Sequence, residues 1–430
     1  MTAQSSTRRF LKLAGMTANI AGKAVSRSLR TLGADEDAKL AARQKTLEDI
    51  GTQIADTLGQ MKGAVMKVGQ IASQYQDLFP PEVAKALGKL QRQAPPMPFE
   101  QIRKQVETEL GQPLDRLFQS FEPTPFAAAS IGQVHRATLP DGQPVVVKVQ
   151  YPGVDECCES DLKQVRLALR LAGVLKIDRA LQDRLFEEIR QSLQAELDYR
   201  QEAHNLQVFA AFHAPLDDRL VIPKVYPSHS SRRVLTLSEE NGEPIETAAT
   251  WPLAVRNQLA QRLFAMMGQE IFILNSFHCD PHPGNFAFRA DGTVVVYDFG
   301  CTKALPPEVI QHYRQLVQAS LQGNMPAVEE QLRALRVRTD AGQVPADFYQ
   351  QWIDILLPPV NGRFDFAHSE VHKQAMQAAR SALRHWDCFQ PSADTMMLDR
   401  AISGHYWNMV ALKAHTDFSD QVTLLTGATA

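Results

Sequence analysis

Three side chains carry oxygen at a spacing that can do chemistry: Asp280, Asn285 and Asp298. The first two lie in His278-Cys279-Asp280-Pro281-His282-Pro283-Gly284-Asn285, and Asp298-Phe299-Gly300 begins thirteen residues past the asparagine. An amide and a carboxylate oxygen, Asn285 and Asp298, suit Mg2+, a hard cation that completes its shell with phosphate oxygens or water. The other carboxylate, Asp280, is then placed to orient an attacking oxygen. Phosphoryl transfer asks for just these parts, because it depends on positioning and charge neutralisation more than on covalent chemistry by the protein. Taken alone, the string is rich in Pro, Gly, Asn and Asp and reads as a tight turn. Its flanks decide against that reading. The helix-like run Leu263 to Phe277 precedes it, and the strand-like Thr293-Val294-Val295-Val296-Tyr297 sets Asp298 at a strand end.

Helix, loop, strand and Asp-Phe-Gly follow one another as in a protein-kinase C-lobe, whose catalytic loop His278-x-Asp280-x4-Asn285 resembles in register. A phosphate-holding lysine is then expected upstream. Val145-Val146-Val147-Lys148-Val149 supplies it, an apolar strand with one cation, and Asp141-Gly142 suits a hairpin turn from a preceding strand over Val134 to Leu139. Before that strand stands Ala127-Ala128-Ala129-Ser130-Ile131-Gly132-Gln133. Small side chains let backbone N–H groups approach a phosphate, but alanine lacks glycine's access to positive φ, so this loop is expected to be stiff. Arg233 to Gly242 reads as a strand running into a linker, where backbone groups near Ser238 and Glu240 would take adenine.

Four blocks together are similar to the UbiB-like atypical kinases of ubiquinone biosynthesis, within the protein-kinase-like superfamily. They are Lys67-Val68-Gly69-Gln70 (KxGQ), the alanine-rich loop, Glu196-Leu197-Asp198 (ExD), and the HxDPHPGN and DFG pair. The resemblance runs from about Lys67 to Leu305. It implies an α+β, bilobal protein-kinase-like fold with an N-terminal helical KxGQ extension and a largely helical C-lobe. It implies ATP and Mg2+ as cofactors, Lys148 paired with Glu202, Glu196 and Asp198 in the ExD signature, and Lys67 and Gln70 reaching the nucleotide site from an accessory helix. Three departures stand out. Ser238 occupies a position where relatives often carry an acidic residue, no A-P-E anchor follows Gly300, and no run of eighteen apolar residues corresponds to the C-terminal pair of membrane helices that some relatives carry. Without a peptide-docking segment, water or a small or lipid-like acceptor is expected.

The residues support these blocks independently. Leu47, Ile50, Ile54, Leu58, Met61, Val65, Val68 and Ala72 recur at three- and four-residue steps, the apolar face of a long helix, with Lys67 and Gln70 on a polar stripe. Glu196, Asp198 and Glu202 read as one charged helix from Gln182 to Gln207. Outside the motifs, each of these polar residues would read as solvated surface. The expected division is a basic segment over 1–34, a helical region over 35–115, an N-lobe over 116–238 and a C-lobe over 239–430. Helices are expected over Glu308 to Gln322, Ala327 to Arg336, Asp347 to Leu357, Val371 to Trp386 and Pro391 to Leu412, before a polar, small-residue tail from Thr416.

With 45 basic and 48 acidic residues the net charge is −3, and no basic stripe with interleaved aromatics lies beyond the N-terminus, so nucleic acid is not an expected partner. Five cysteines (Cys157, Cys158, Cys279, Cys301, Cys388) lack metal-site spacing and fit a reducing, cytoplasmic setting. Cys279 and Cys301 flank the acidic motifs as either oxidation sites or buried thiols. Residues 1–30 carry Arg8, Arg9, Lys12, Lys23, Arg27 and Arg30 with no acid, interleaved with Phe10, Leu13, Ile20 and Val25. An export signal, a basic tail and an amphipathic helix on the inner face of an anionic membrane all compete for this segment, and the family resemblance favours the membrane. Two function classes follow: an MgATP-using kinase or ATPase serving quinone precursors or lipids, and a nucleotide-binding regulator with little turnover. Oligomeric state has no sequence signal.

Overall fold

The structure, a computed structural model, describes residues 14–16, 18–20, 22, 44–53, 96–129, 131–172, 179–382, 387–390 and 393–427. Two compact units divide the chain: Met1–Ala203 with Val225–Glu239, and His204–Lys224 with Glu240–Ala430. The fold is α+β and kinase-like.

The first unit is built on an antiparallel sheet of β1 (Ser120–Phe121), β2 (Ala127–Ala128), β3 (Gly132–Thr138), β4 (Pro144–Gln150) and β6 (Val234–Ser238), where β5 (Leu220–Val221) belongs to the second unit. The β-branched run Val145–Val149 makes β4 the strand between β3 and β6. Alternation then sorts its side chains. Val145, Val147 and Val149 are fully buried in a core with Ile102, Val106, Leu117 and Phe118, each contributing about 1.5–3 kcal/mol of burial. Lys148, one residue out of phase, faces the other side of the sheet. The hairpin turns at Gly142, φ 85°, with Asp141 Oδ1 accepting from the Gln143 amide. Helix α1 (Phe99–Leu110) covers the apolar face with Ile102 and Val106, one turn apart, and stops at Gly111 in the left-handed region.

Helices α2 (Val154–Ala172), α3 (Arg179–Glu196) and α4 (Tyr199–His213) follow. The single charged helix expected over Gln182 to Gln207 is therefore two. Asp198 breaks it, because its carboxylate accepts from the Arg200 amide at 3.1 Å, a side-chain cap that starts α4 afresh.

In the second unit, α5 (Leu253–Gln269) buries Leu259, Ala260, Leu263, Met266 and Met267 and runs into a π-helical turn, Glu270–Leu274, which ends on Asn275 at φ 56°. The helix-like run to Phe277 thus ends early, and β7 (Ser276–His278) leads into the His278–Asn285 string. β8 (Phe286–Phe288) and β9 (Val294–Val296) pair antiparallel, with β5 parallel to β9, and β10 (Thr302–Ala304) returns against β7. Helices α6 (Pro307–Leu321), α7 (Met325–Ala334), α8 (Ala346–Leu356), α9 (Val371–Ala382) and α10 (Ala393–Ala411) complete a largely helical body. The C-terminal segment is not merely a polar tail. His415–Asp417 forms β12 against β11 (Arg363–Asp365), and α11 (Ser419–Thr426) buries Val422 and Leu425. Leu425 seats on Gly268, where a Cβ would lie 2.2 Å from its Cδ1, and Arg314 and Gln318 hold the last carbonyls of α11. No helix among the described residues is long and apolar enough to cross a membrane.

Candidate active site

The first unit forms an ion pair across its sheet. Lys148 Nζ lies 2.8 Å from Glu202 Oε1 and 2.9 Å from Oε2, and 5.1 Å from the centre of the Tyr199 ring. Tyr199 and Glu202 are three residues apart on α4 and so share the helix face that meets β4. The pair is largely desolvated, with side chains 16% and 4% exposed, so a sheet register and a helix face together hold one ammonium in one place.

Ala127 and Ala128 form β2 against Val134 and Gln133, and Ala129 exchanges backbone bonds with Gly132 to close the turn. Ala127 and Ala128 are therefore strand residues rather than open loop. Gly132 has a packing reason: a Cβ there would stand 2.3 Å from the Val149 carbonyl oxygen. Ser130, Lys67 and Gln70 lie outside the described residues. In the ExD segment the Glu196 carbonyl accepts from buried Gln150 at 3.0 Å. The Asp198 carboxylate turns instead to Arg200, 2.6 Å away, and that bond holds its pKa below the usual carboxylate value. Ser238 ends β6.

In the second unit Glu240 spends its carboxylate on Arg289 at 2.9 Å, and its carbonyl accepts from the Tyr297 hydroxyl at 2.8 Å.

Two short strand pairs in this unit bracket the motif residues. Thr302 pairs with His278, and the Cys279 amide donates to the Cys301 carbonyl at 2.9 Å, so the entry to the Asp280 loop is tied to the segment just past Gly300. Phe286 pairs with Val296, and the Tyr297 amide donates to the Asn285 carbonyl at 2.9 Å, so the loop's exit is tied to the strand before Asp298. Within the loop, Asn285 Nδ2 donates to the Asp280 carbonyl at 2.9 Å and to its Oδ2 at 3.1 Å. The amide nitrogen is thereby used, and the end left toward a ligand is the carbonyl oxygen, the atom a hard cation takes. Asp298 Oδ1 accepts from the Gly300 amide at 2.7 Å, a local turn that fixes its carboxylate at the strand end. Together these two oxygen donors fit a metal that draws its other ligands from phosphates and water.

The loop rests on buried groups. Phe299 is fully buried, its ring 4.7 Å from Phe209 and 5.3 Å from His278, and its carbonyl accepts from Asn205 at 2.9 Å. Buried Glu270, presented by the π-helical turn, accepts from the His278 amide at 3.0 Å and meets His213 Nε2 at 3.1 Å. Cys279 is buried, and the neighbouring Cys301 together with burial pushes its thiol well above the ordinary value, which makes it a poor nucleophile at neutral pH.

His405, on α10, packs edge-on against Phe286 at 5.7 Å, and burial, then the neighbouring His278, pushes its pKa down from 6.5 to about 3. Between these values the unfolded chain binds a proton that the folded one refuses, so stability falls as pH falls. From pH 7 to pH 5 the loss through this ring is expected to be about 2 kcal/mol. Denaturant melts of wild type and His405→Leu at both pH values check this: the variant loses less, and equal losses in both proteins contradict the assignment.

Sequence reasoning missed the partner that meets the Asp280 carboxylate from far along the chain. Arg400, also on α10, donates from Nη2 to Asp280 Oδ1 at 3.0 Å. It stands 120 residues from the aspartate, in a helix with no local motif, so no short-range signal points to it.

Comparison with known proteins agrees with this architecture. Residues 89–332 match the ABC1 atypical kinase-like domain. The chain is 32% identical over 373 residues to the atypical kinase COQ8B, mitochondrial, of Rattus norvegicus, an alignment covering 84% of this chain and 69% of the relative. It is 30% identical over 359 residues to the atypical kinase COQ8, mitochondrial, of Saccharomyces cerevisiae, covering 82% and 71%. Against the Caenorhabditis elegans relative, atypical kinase coq-8, mitochondrial, identity is 29% and the chain spans 49% of that protein's length. Among solved structures, the erythromycin complex of Rv3197 from Mycobacterium tuberculosis superposes with a TM-score of 0.61 at 26% identity, over 90% of this chain and 97% of that one. On these matches the chain belongs to the ABC1 atypical kinase-like family, which includes the COQ8 and UbiB-like proteins.

Proposed function

We propose that this atypical kinase uses MgATP to transfer or hydrolyse a phosphoryl group, in support of isoprenoid-quinone (ubiquinone) synthesis or a related membrane-lipid process. The observation that carries the reading is the Lys148–Glu202 pair at 2.8 Å, a fixed, largely desolvated ammonium on the strand position where a kinase grips phosphates. Asn285 and Asp298 would hold Mg2+, which when bound neutralises the charge on the phosphates. Asp280 would orient the acceptor oxygen and take its proton as the new P–O bond forms and the γ-phosphorus parts from the β-phosphate oxygen. Lys67, Gln70, Glu196 and Asp198 serve the same activity as family-motif residues in this reading, and residues 1–30 make a salt-sensitive, peripheral contact with an anionic membrane. The acceptor is water or a small phenolic or lipid-like hydroxyl.

Thermal shift tests the metal-holding half. MgATP at a hundredfold excess over its Kd should stabilise the wild type by about 2.7 kcal/mol, and chelation of Mg2+ should remove the gain. Asp298→Asn is expected to show no Mg2+-dependent gain. An undiminished gain in that variant would overturn the ligand assignment. A gain in the wild type without phosphate release, in the presence of anionic liposomes and quinone-head-group phenols, would leave a nucleotide-binding regulator.

A further inference from the structure

Helix α10 carries Arg400, Gly404 and Asn408 at four-residue steps, one stripe along its surface. All three meet the catalytic-loop string. Arg400 Nη2 is 3.0 Å from Asp280 Oδ1, in a pair whose side chains are only 20% and 11% exposed. Gly404 lies so close to the loop that a Cβ would stand 2.1 Å from Pro281 Cγ. Asn408, buried, donates from Nδ2 to the Pro281 carbonyl at 2.9 Å. From the loop's own far end, Asn285 Nδ2 holds the other carboxylate oxygen, Oδ2, at 3.1 Å. Each oxygen of Asp280 is thus held by a different donor, which fixes the plane of the carboxylate, and the next residue is clamped through both its ring and its carbonyl.

Charge-assisted bonds of this kind are short, directional and roughly twice as strong as neutral ones. Their value for a reaction limited by positioning is large, since a displacement of about 1 Å at the reacting group can cost on the order of a hundredfold in rate. We propose that Arg400 is a positioning residue for the phosphoryl-transfer step. It acts through Asp280, whose carboxylate it holds toward the acceptor oxygen, while Gly404 and Asn408 fix the backbone that follows. The inference rests on the MgATP reading above for its catalytic half; its structural half, the coupling of Arg400 to Asp280, stands apart from turnover.

The test uses the full chain as wild type, Arg400→Gln, Arg400→Lys, Asp280→Asn and the Arg400→Gln/Asp280→Asn double variant. Phosphate release, KM for ATP, MgATP-induced thermal shift and melting temperature are measured for each. In Arg400→Gln, kcat should fall by about 10–100-fold while KM for ATP stays within about twofold and the MgATP shift persists. Arg400→Lys, which keeps the charge, should recover part of kcat and guards against a glutamine variant that folds poorly. In the Asp280→Asn background the second substitution should cost no further rate, and the melting shifts of the two single variants should not add. A kcat within about twofold of wild type in Arg400→Gln, or losses of rate and melting temperature that simply add, would overturn the proposal. If the wild type releases no phosphate, the MgATP reading is what fails, and the melting cycle alone then decides: coupled shifts keep Arg400 as the residue that positions Asp280, and additive shifts remove it.

Discussion

Asp280→Asn is expected to lower phosphate release from MgATP by about 10²–10⁴-fold, the range lost with a positioned acid–base group. The nucleotide-induced thermal shift should survive. The substitution keeps the shape of the side chain and an oxygen for Arg400 or Asn285, which hold the carboxylate at 3.0 and 3.1 Å. It removes the charge and the proton affinity. A loss confined to turnover therefore separates a group acting at the acceptor from one that merely supports the loop. Single-turnover measurement with saturating MgATP reads the effect directly, and a rate within tenfold of wild type would contradict the role of Asp280.

Lys148→Met is the second large effect, and it is expected in two observables. Methionine fills the space of the lysine stem but removes the ammonium 2.8 Å from Glu202, whose side chain is 4% exposed. Removing one partner of a buried pair costs about 3–5 kcal/mol, because the remaining charge stays desolvated. The exposure of Lys148, 16%, puts this pair toward the lower end of that range. Nucleotide affinity or turnover should fall at least about tenfold, or 1.4 kcal/mol. Adding Glu202→Gln to Lys148→Met should return part of the stability, since a buried charge is removed, and none of the turnover. Equal melting temperatures for wild type and Lys148→Met, with ATP turnover intact, would show that the pair matters to neither.

Much of the candidate site is legible because its parts are written in short strings. Lys148 is announced by the apolar residues on either side of it, and period-two alternation alone puts it opposite Val147 and Val149. Asp280, Asn285 and Asp298 announce themselves by spacing. What sequence could not give are the partners that arrive from far along the chain. Arg400 and Asn408 read as ordinary polar positions of a helix, and Gly404 as a weak point in it, until the helix is laid against Pro281. Glu270 falls inside the helix-like run from Leu263 to Phe277, whereas the π-helical turn aims its carboxylate at the His278 amide. The break at Asp198 is hidden for a local reason: no Gly or Pro marks it, and a capping carboxylate has the same composition as a solvated helix face. The terminal segment misleads in the opposite direction, because Val422 and Leu425 are too few to make a pattern and gain their meaning only from the space above Gly268.

Turnover of ATP with a metal held by Asp298 and Asn285 is the proposal on which the other roles depend. The most direct measurement is release of phosphate from ATP labelled at the γ-position, by purified wild type and Asp298→Asn, with Mg2+ and with chelator, in the presence of anionic liposomes and a phenolic acceptor. Wild type with Mg2+ is expected to release or transfer the label, and neither should occur in the variant or under chelation. Label remaining on ATP in every case, or leaving it equally in wild type and Asp298→Asn, would contradict that proposal.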